Sequence, residues 1–285
     1  MGASVANLQM IEQWNGATGA KWVRLQSMMD ALFDAHGAAV LDAAGLAPGE
    51  AVLDVGCGCG ATSLEAGRRV GSKGLVVGVD ISAPMLARAT ARAETERLEH
   101  VRFERGDVQT ESLGSERYDA VVSRLGVMFF DDPVAAFSNV RGAARDGARL
   151  AFVCWQSTAN NPWITVPARA AAEVVPIESM ETTAPGPFAF ADSARVIRIL
   201  ETAGFAEVRA SPLRIPICFG RDADEAGERL ITTGPAGRAL LQADETTRGR
   251  AARAVAAAIS GFTSPSGVIL ESNAWLVTAR RRTPR

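Results

Sequence analysis

The chain has 285 residues, 47% of them hydrophobic and 22% charged, and carries a formal net charge of −2. A chain of this length buries a sizeable core unaided, and its interleaved acids and bases offer no basic face for a phosphate backbone, so nucleic acid is not an expected partner. No apolar run is long enough to cross a bilayer and no cationic, apolar leader opens the sequence, so no membrane role and a cytoplasmic location are expected.

In chain order, residues 1–45 read as an N-terminal helical lid segment that carries Trp14, Trp22 and His36. Ala51 to Val55 is the first expected strand, and it runs into Gly56-Cys57-Gly58-Cys59-Gly60-Ala61. Glycines at a strand-to-helix turn let the main chain turn tightly and approach a ligand closely. Taken alone, Gly56-x-Gly58-x-x-Ala61 also fits a dinucleotide-binding turn, in which a helix N-terminus receives a pyrophosphate. Leu75 to Val79 is a second strand ending at Asp80, where a carboxylate can accept hydrogen bonds from both ribose hydroxyls. Dinucleotide and adenosyl ligands share that arrangement. Ser82-Ala83-Pro84 marks a helix start, with Ser82 capping and Pro84 in the first turn.

A third strand, Val101 to Glu104, precedes Gly106-Asp107-Val108, where the aspartate can accept from an adenine amino group; that contact favours an adenosyl ligand. Ala120 to Ser123 and Arg149 to Cys154 complete five strands, with helices after the first, second and fourth. The alternation is that of an open parallel sheet covered on both faces, in which ligands lie at the carboxyl ends of the strands. Asn160-Asn161-Pro162-Trp163 and Ala184-Pro185-Gly186-Pro187-Phe188 punctuate residues 156–191 against one continuous helix. A helix from Ser193 to Ala203, stopped at Gly204, then leads to a strand over Val208 to Pro216. A mostly helical stretch follows from about Arg221 to Thr263, and Gly267 to Ala279 is expected to return as an antiparallel last strand. Arg280-Arg281-Arg282 reads as a solvated tail.

The glycine turn and the ordered acids resemble those of the class I S-adenosylmethionine-dependent methyltransferases, particularly the bacterial branch similar to ubiquinone and menaquinone C-methyltransferases. Leu53-Asp54-Val55-Gly56-Cys57-Gly58, Val79-Asp80-Ile81-Ser82, Gly106-Asp107-Val108 and Tyr118-Asp119-Ala120-Val121-Val122-Ser123-Arg124 carry the resemblance. It extends to Trp14-Asn15-Gly16, Phe129-Phe130-Asp131-Asp132-Pro133, Gly147 to Trp155 and Ala274 to Arg280. Arg145-Asp146-Gly147-Ala148 stands where the family commonly has Pro-Gly-Gly, a change confined to a turn. The fold class expected is α/β: a Rossmann-like doubly wound seven-stranded sheet, mostly parallel with an antiparallel last strand, plus a helical cap. Its expected organisation is a lid segment at 1–45, the cofactor-binding core at 46–155, a cap or loop insert at 156–191, a core continuation at 192–220, a helical insert at 221–263, and the final strand and tail at 264–285. The segments outside the cofactor frame are expected to build the acceptor pocket.

The resemblance implies S-adenosyl-L-methionine as cofactor. Gly56, Cys57 and Gly58 would pass beneath its methionine part, with Asp54 near the amino group. Asp80 would hold the ribose, Ile81 would pack on the adenine, Asp107 and Val108 would meet its edge, and Ser123 or Arg124 would close its far side. The implied reaction is in-line transfer of the sulfonium methyl to carbon, oxygen or nitrogen of a small acceptor, an apolar or mixed metabolite such as a quinone-like or polyketide-like compound, with release of S-adenosylhomocysteine. A dedicated base is not required; for a phenol or an activated carbon, His36 is the candidate, whereas His100 reads as a surface residue.

Four cysteines in a domain of this size read as reduced thiols. Cys57 and Cys59 without a second Cys or His pair fall short of a zinc site, so no metal is expected. Arsenite methylation is poorly supported as well, because these two belong to the cofactor loop and Cys154 to a strand. Two alternatives stand beside the enzyme reading. One is a non-catalytic S-adenosylmethionine-binding module. The other, an NAD(P)-dependent oxidoreductase, lacks a Tyr-x-x-x-Lys pair, because the single tyrosine is Tyr118 and no lysine follows Lys73.

Overall fold

The computed structural model describes residues 5–178 and 184–282, with side chains from Asn7 onward. These fall into two compact units, one comprising residues 5–155, 184–212 and 275–282 and the other residues 156–178 and 213–274.

The first unit opens with three helices, α1 (Val5–Asn15), α2 (Ala17–Arg24) and α3 (Gln26–Ala44). Strand and helix then alternate through β1 (Ala51–Val55), α4 (Ala61–Val70), β2 (Leu75–Asp80), α5 (Ala83–Thr95), β3 (Val101–Arg105), β4 (Tyr118–Arg124), α6 (Pro133–Ala143) and β5 (Ala144–Trp155). Val52, Leu53, Asp54 and Val55 are all buried, as befits a strand covered on both faces. Asp132 caps α6 by accepting from the Ala135 amide, with Pro133 at the first helical position, where its missing N–H costs nothing.

The chain continues through α7 (Pro162–Ala171), α8 (Ser193–Thr202), β6 (Phe205–Gly220), α9 (Ala223–Leu230), α10 (Gly234–Ala239), α11 (Glu245–Ile259), β7 (Thr263–Ser264) and β8 (Gly267–Arg281). The sheet order is β3-β2-β1-β4-β5-β8-β6, with β7 joined to β8 antiparallel. Strands β1 to β5 pair in parallel and the sheet ends in antiparallel strands, so the expected seven-stranded path stands with a two-residue β7 added to it. The strand order reverses between β1 and β4, and in open α/β sheets that switch point is where ligands bind.

Two expectations are corrected. Strand β5 begins at Ala144 rather than Arg149: Tyr118 pairs with Ala144 and Ala120 with Arg149, so the Arg145-Asp146-Gly147-Ala148 turn is absorbed as an irregularity within the strand. The C-terminal arginines are tied to the sheet rather than forming a free tail, although the Arg280 and Arg282 side chains are half or more exposed. Arg280 and Arg281 lie in β8; Arg281 is hydrogen-bonded to the Ala144 carbonyl and paired with Glu116 at 2.8 Å, with 13% of its side chain exposed.

Below the sheet, Phe137 of α6 stacks on Phe152 and Phe190 at 5.6 and 6.2 Å between ring centroids and meets Phe205 edge-on, a buried aromatic cluster that holds this face together. In the second unit, α11 packs on α7 and α9. Trp163 stacks on Phe219 at 6.0 Å and donates its indole N–H to Asn161 Oδ1, which also accepts the Asn273 amide at 2.8 Å. Among the described residues, no helix is long and apolar enough to cross a membrane.

Candidate functional site

At the end of β1 the chain turns through Gly56, Gly58 and Gly60, whose φ angles of +66°, +55° and +84° are left-handed and favour glycine. Gly56 is small for a reason the sequence did not show. A Cβ on it would stand 2.7 Å from Gly126 Cα, and one on Gly126 would stand 2.6 Å from the Val55 carbonyl oxygen. The missing side chains thus let the turns after β1 and β4 touch at the switch point. Gly126→Ala should therefore cost about 1–3 kcal/mol of stability. Gly142→Ala, in α6 with open space around it, should be neutral or stabilising. Thermal unfolding of the two variants compares them directly, and equal midpoints would refute the close-contact explanation.

Asp80 ends β2. Its Oδ2 accepts the Gly58 amide at 2.8 Å and its Oδ1 the Ser82 amide at 2.9 Å, so the glycine turn fixes the carboxylate while each oxygen keeps further acceptor capacity. Burial pushes its pKa up, and these amide bonds pull it back down. Ser82 does not cap α5 as expected. Its hydroxyl donates to the Trp14 carbonyl at 2.7 Å, and the cap comes from Asn15, whose Oδ1 accepts the Ala83 amide at 3.0 Å. Asn15 Nδ2 also donates to the Ile81 carbonyl at 3.0 Å, so the α1–α2 junction is fastened to the Asp80-Ile81-Ser82 turn. Trp14 meets Phe129 edge-on at 5.3 Å and Trp22 at 6.0 Å, an aromatic group beside this turn.

Asp54, one strand over on β1, is fully buried. Its Oδ2 accepts the Ser63 hydroxyl at 2.6 Å, and its Oδ1 has no hydrogen-bond partner. Burial pushes its pKa up to about 6, against the pull of Ser63 and the Arg124 guanidinium. A buried, half-satisfied carboxylate is costly to maintain, and its open oxygen is a ready acceptor for a cationic N–H.

Asp107 follows β3. Its Oδ1 accepts the Gln109 amide at 2.9 Å and its Oδ2 is hydrogen-bonded to the Asn7 carboxamide of α1. The Val108 side chain is buried and its carbonyl accepts Asn139 Nδ2 at 2.7 Å, while Ile81 is half-buried. Asp107, Asp80 and Asp54 therefore stand at the carboxyl ends of three neighbouring strands, in the order β3, β2, β1.

Ser123 and Arg124 stand apart from the strand that carries Asp107. Both belong to the end of β4, three strands from β3, or about 14 Å at the usual strand spacing. Ser123 is fully buried; its hydroxyl donates to the Val55 carbonyl at 2.6 Å and accepts the Gly126 amide at 3.2 Å, which braces the switch point. Arg124 reaches α3, where it donates to Asp30 at 3.3 Å and to the Phe33 carbonyl at 3.5 Å. Asp30 also pairs with Arg92 at 3.0 Å and accepts from Gln26 at 2.5 Å, while Arg92 donates to the Cys59 carbonyl at 2.6 Å. His36, on the same helix, is fully buried and packs edge-on against Phe33 and Trp155. Burial first, and then Arg124, lower its pKa to about 4.

Cys57 is buried against β2, where a Cβ on Gly78 would lie 2.9 Å from its Sγ, and burial raises its thiol pKa. Among the described residues, no group of three or more His, Cys, Asp or Glu side chains could hold a metal ion. His100 is less exposed than expected: it is half-buried, with Nε2 at 2.9 Å from the Gly67 carbonyl. The partners that sequence reasoning missed, Asn7, Gln26 and Asp30, come from the N-terminal helices; only Asn15 was flagged, within Trp14-Asn15-Gly16.

A family model described as a methyltransferase domain matches residues 52–147. The chain is similar to the aklanonic acid methyltransferase of Streptomyces sp. (strain C5), 32% identical over 120 residues that cover 42% of this chain and 54% of that protein. It is also similar to the nocamycin O-methyltransferase of Saccharothrix syringae, 31% identical over 179 residues, 60% of this chain and 64% of that protein. The chain thus spans between half and two thirds of these relatives' lengths. Phosphoethanolamine N-methyltransferase 2 of Haemonchus contortus, solved with S-adenosyl-L-methionine, shares the fold at a TM-score of 0.59 and 16% identity, covering 99% of this chain and 61% of that one.

Proposed function

We propose that this chain, which belongs to the class I S-adenosylmethionine-dependent methyltransferase family, is an enzyme that methylates a small-molecule acceptor. The observation that carries the proposal is the row of Asp107, Asp80 and Asp54 at successive strand ends beside the glycine turn. Three acceptors at strand spacing suit, in order, an adenine amino group, a ribose diol and an amino-acid ammonium. The open Oδ1 of Asp54 fits the last of these, and the remaining lone pairs of Asp80 fit the diol. When bound, S-adenosylmethionine supplies an electrophilic methyl group on a sulfonium, so the protein's share of the work is binding, alignment and exclusion of water. Asn7 and Asn15, reaching Asp107 and the Ile81 carbonyl from α1, close the nucleoside side of the site.

His36 of α3 is a neutral imidazole, since a pKa of about 4 leaves it unprotonated at neutral pH. Full burial and the nearby Arg124 both disfavour its protonated form, so its role in the reaction is that of a weak base suited only to an already acidic acceptor. The acceptor class is an apolar or mixed polyketide-like or quinone-like metabolite, a reading supported by the names of the two curated relatives.

The test is methyl transfer from labelled cofactor to a panel of phenolic, quinol and polyketide acceptors, followed by release of S-adenosylhomocysteine. Cofactor binding without transfer to any acceptor would replace the enzyme with a non-catalytic binding module. In the same assay His36→Ala should lower turnover about tenfold while leaving S-adenosylhomocysteine affinity unchanged; full turnover in the variant would remove His36 from the reaction.

A further inference from the structure

The end of β4 carries a cation that makes no hydrogen bond to the row of three carboxylates. The Arg124 guanidinium has five N–H donors, and its bonds to Asp30 and to the Phe33 carbonyl, 3.3 and 3.5 Å long, occupy two of them weakly. Asp30 is already engaged at shorter range by Arg92 and Gln26, so two guanidiniums share one carboxylate and Arg124 is incompletely paired by it. Only 17% of the Arg124 side chain is exposed, so its charge is poorly offset by solvent.

The backbone fixes its position. Leu125, the next residue, has φ +64°, a strained setting for a bulky side chain, and its amide donates to the Val153 carbonyl at 3.1 Å. On the other side, Gly37 of α3 brings its backbone close to Arg124: a Cβ there would lie 3.4 Å from Arg124 Cδ and 3.8 Å from Thr62 Oγ1. Arg124 thus sits beside the first turn of α4 and one strand beyond Asp54, whose partner across β1 and β4 is Val122, two residues before Arg124. Its charge reaches both Asp54 and His36. From β3 to β4 the strand ends offer a carboxylate, a carboxylate, a carboxylate with an open oxygen, and a guanidinium.

We infer that Arg124, positioned by Asp30, receives the α-carboxylate of the cofactor's amino-acid end, so that Asp54 and Arg124 together recognise a zwitterion. The inference rests on the cofactor reading proposed above. It replaces the expected role of Arg124 at the adenine, and it makes Asp30 a positioning residue that acts through Arg124.

The test is calorimetric titration with two probes, S-adenosylhomocysteine and 5′-deoxy-5′-methylthioadenosine, which keeps the nucleoside and thioether but has no amino-acid end. Arg124→Met should weaken S-adenosylhomocysteine at least about tenfold, the loss expected for a charged hydrogen bond, and leave methylthioadenosine within about twofold. Arg124→Lys should recover part of the loss, and Asp30→Asn should show the same selectivity at smaller size. Equal weakening of both probes, or of neither, overturns the inference. Wild-type protein gives an independent reading that does not depend on variant folding. It should prefer S-adenosylhomocysteine over its decarboxylated analogue by at least about tenfold, and equal affinities overturn the inference while leaving the cofactor reading intact. Failure of the wild type to bind any adenosyl probe overturns both.

Discussion

Asp80→Ala should raise the dissociation constant for S-adenosylhomocysteine by about 100-fold or more. Two contributions add. The carboxylate is the ribose acceptor, and a charged hydrogen bond contributes about 1.5–3 kcal/mol, so loss of a bidentate pair alone reaches this size. The same carboxylate ties the Gly58 and Ser82 amides together, so alanine also unfastens the glycine turn from the turn after β2. Asp80→Asn keeps the shape and one acceptor, and should fall between wild type and alanine. Titration calorimetry with S-adenosylhomocysteine and, in parallel, NADH reads the result: the wild type should bind the first and not the second. Tight NADH binding would reinstate the oxidoreductase, and unchanged affinity in Asp80→Ala would show that the ribose is held elsewhere.

The parts of the site legible in the sequence were those in which one short segment carries both strand and ligand group. Val52 to Gly58, Val79 to Ser82 and Gly106 to Val108 each place an acid at a strand's carboxyl end, and the sheet order then sets those acids side by side. What stayed hidden depends on contacts between distant segments. Asn15 caps α5 from 68 residues away and Asn7 reaches Asp107 across 100, so Ser82 looked like the cap only because its own neighbours were visible. Ser123 and Arg124 are adjacent in sequence, yet side chains alternate along a strand. One is spent on the Val55 carbonyl and the other reaches α3. The arginine run at the C-terminus misled for a related reason: its charges are matched by Glu116, Glu207 and backbone carbonyls that only the sheet brings near.

Asp54→Asn should do two opposite things: strengthen the unliganded fold and weaken the cofactor. The Asp54 pKa rises from 3.8 to about 6 because burial penalises the ionised form, a cost to the folded chain of about 3 kcal/mol at neutral pH. Since the folded-state value lies above the unfolded one, this group favours folding when protonated. That contribution is fully present below about pH 4 and is lost as pH rises from there through about 6. Asparagine cannot ionise and keeps the bond to Ser63, so the variant should be more stable than wild type by about 1–3 kcal/mol at pH 7.5 and indistinguishable from it near pH 4. A ligand ammonium placed against the open Oδ1 stabilises the ionised form that burial disfavours. Wild-type affinity for S-adenosylhomocysteine should therefore increase between about pH 5 and 7, whereas Asp54→Asn should bind about tenfold or more weakly at pH 7.5 with that rise abolished. Thermal unfolding across pH, paired with calorimetry of the two proteins, separates the effects. A variant that is destabilised at neutral pH yet binds normally would mean that Asp54 serves the core of β1 rather than the ligand, and that the carboxylate row ends at Asp80.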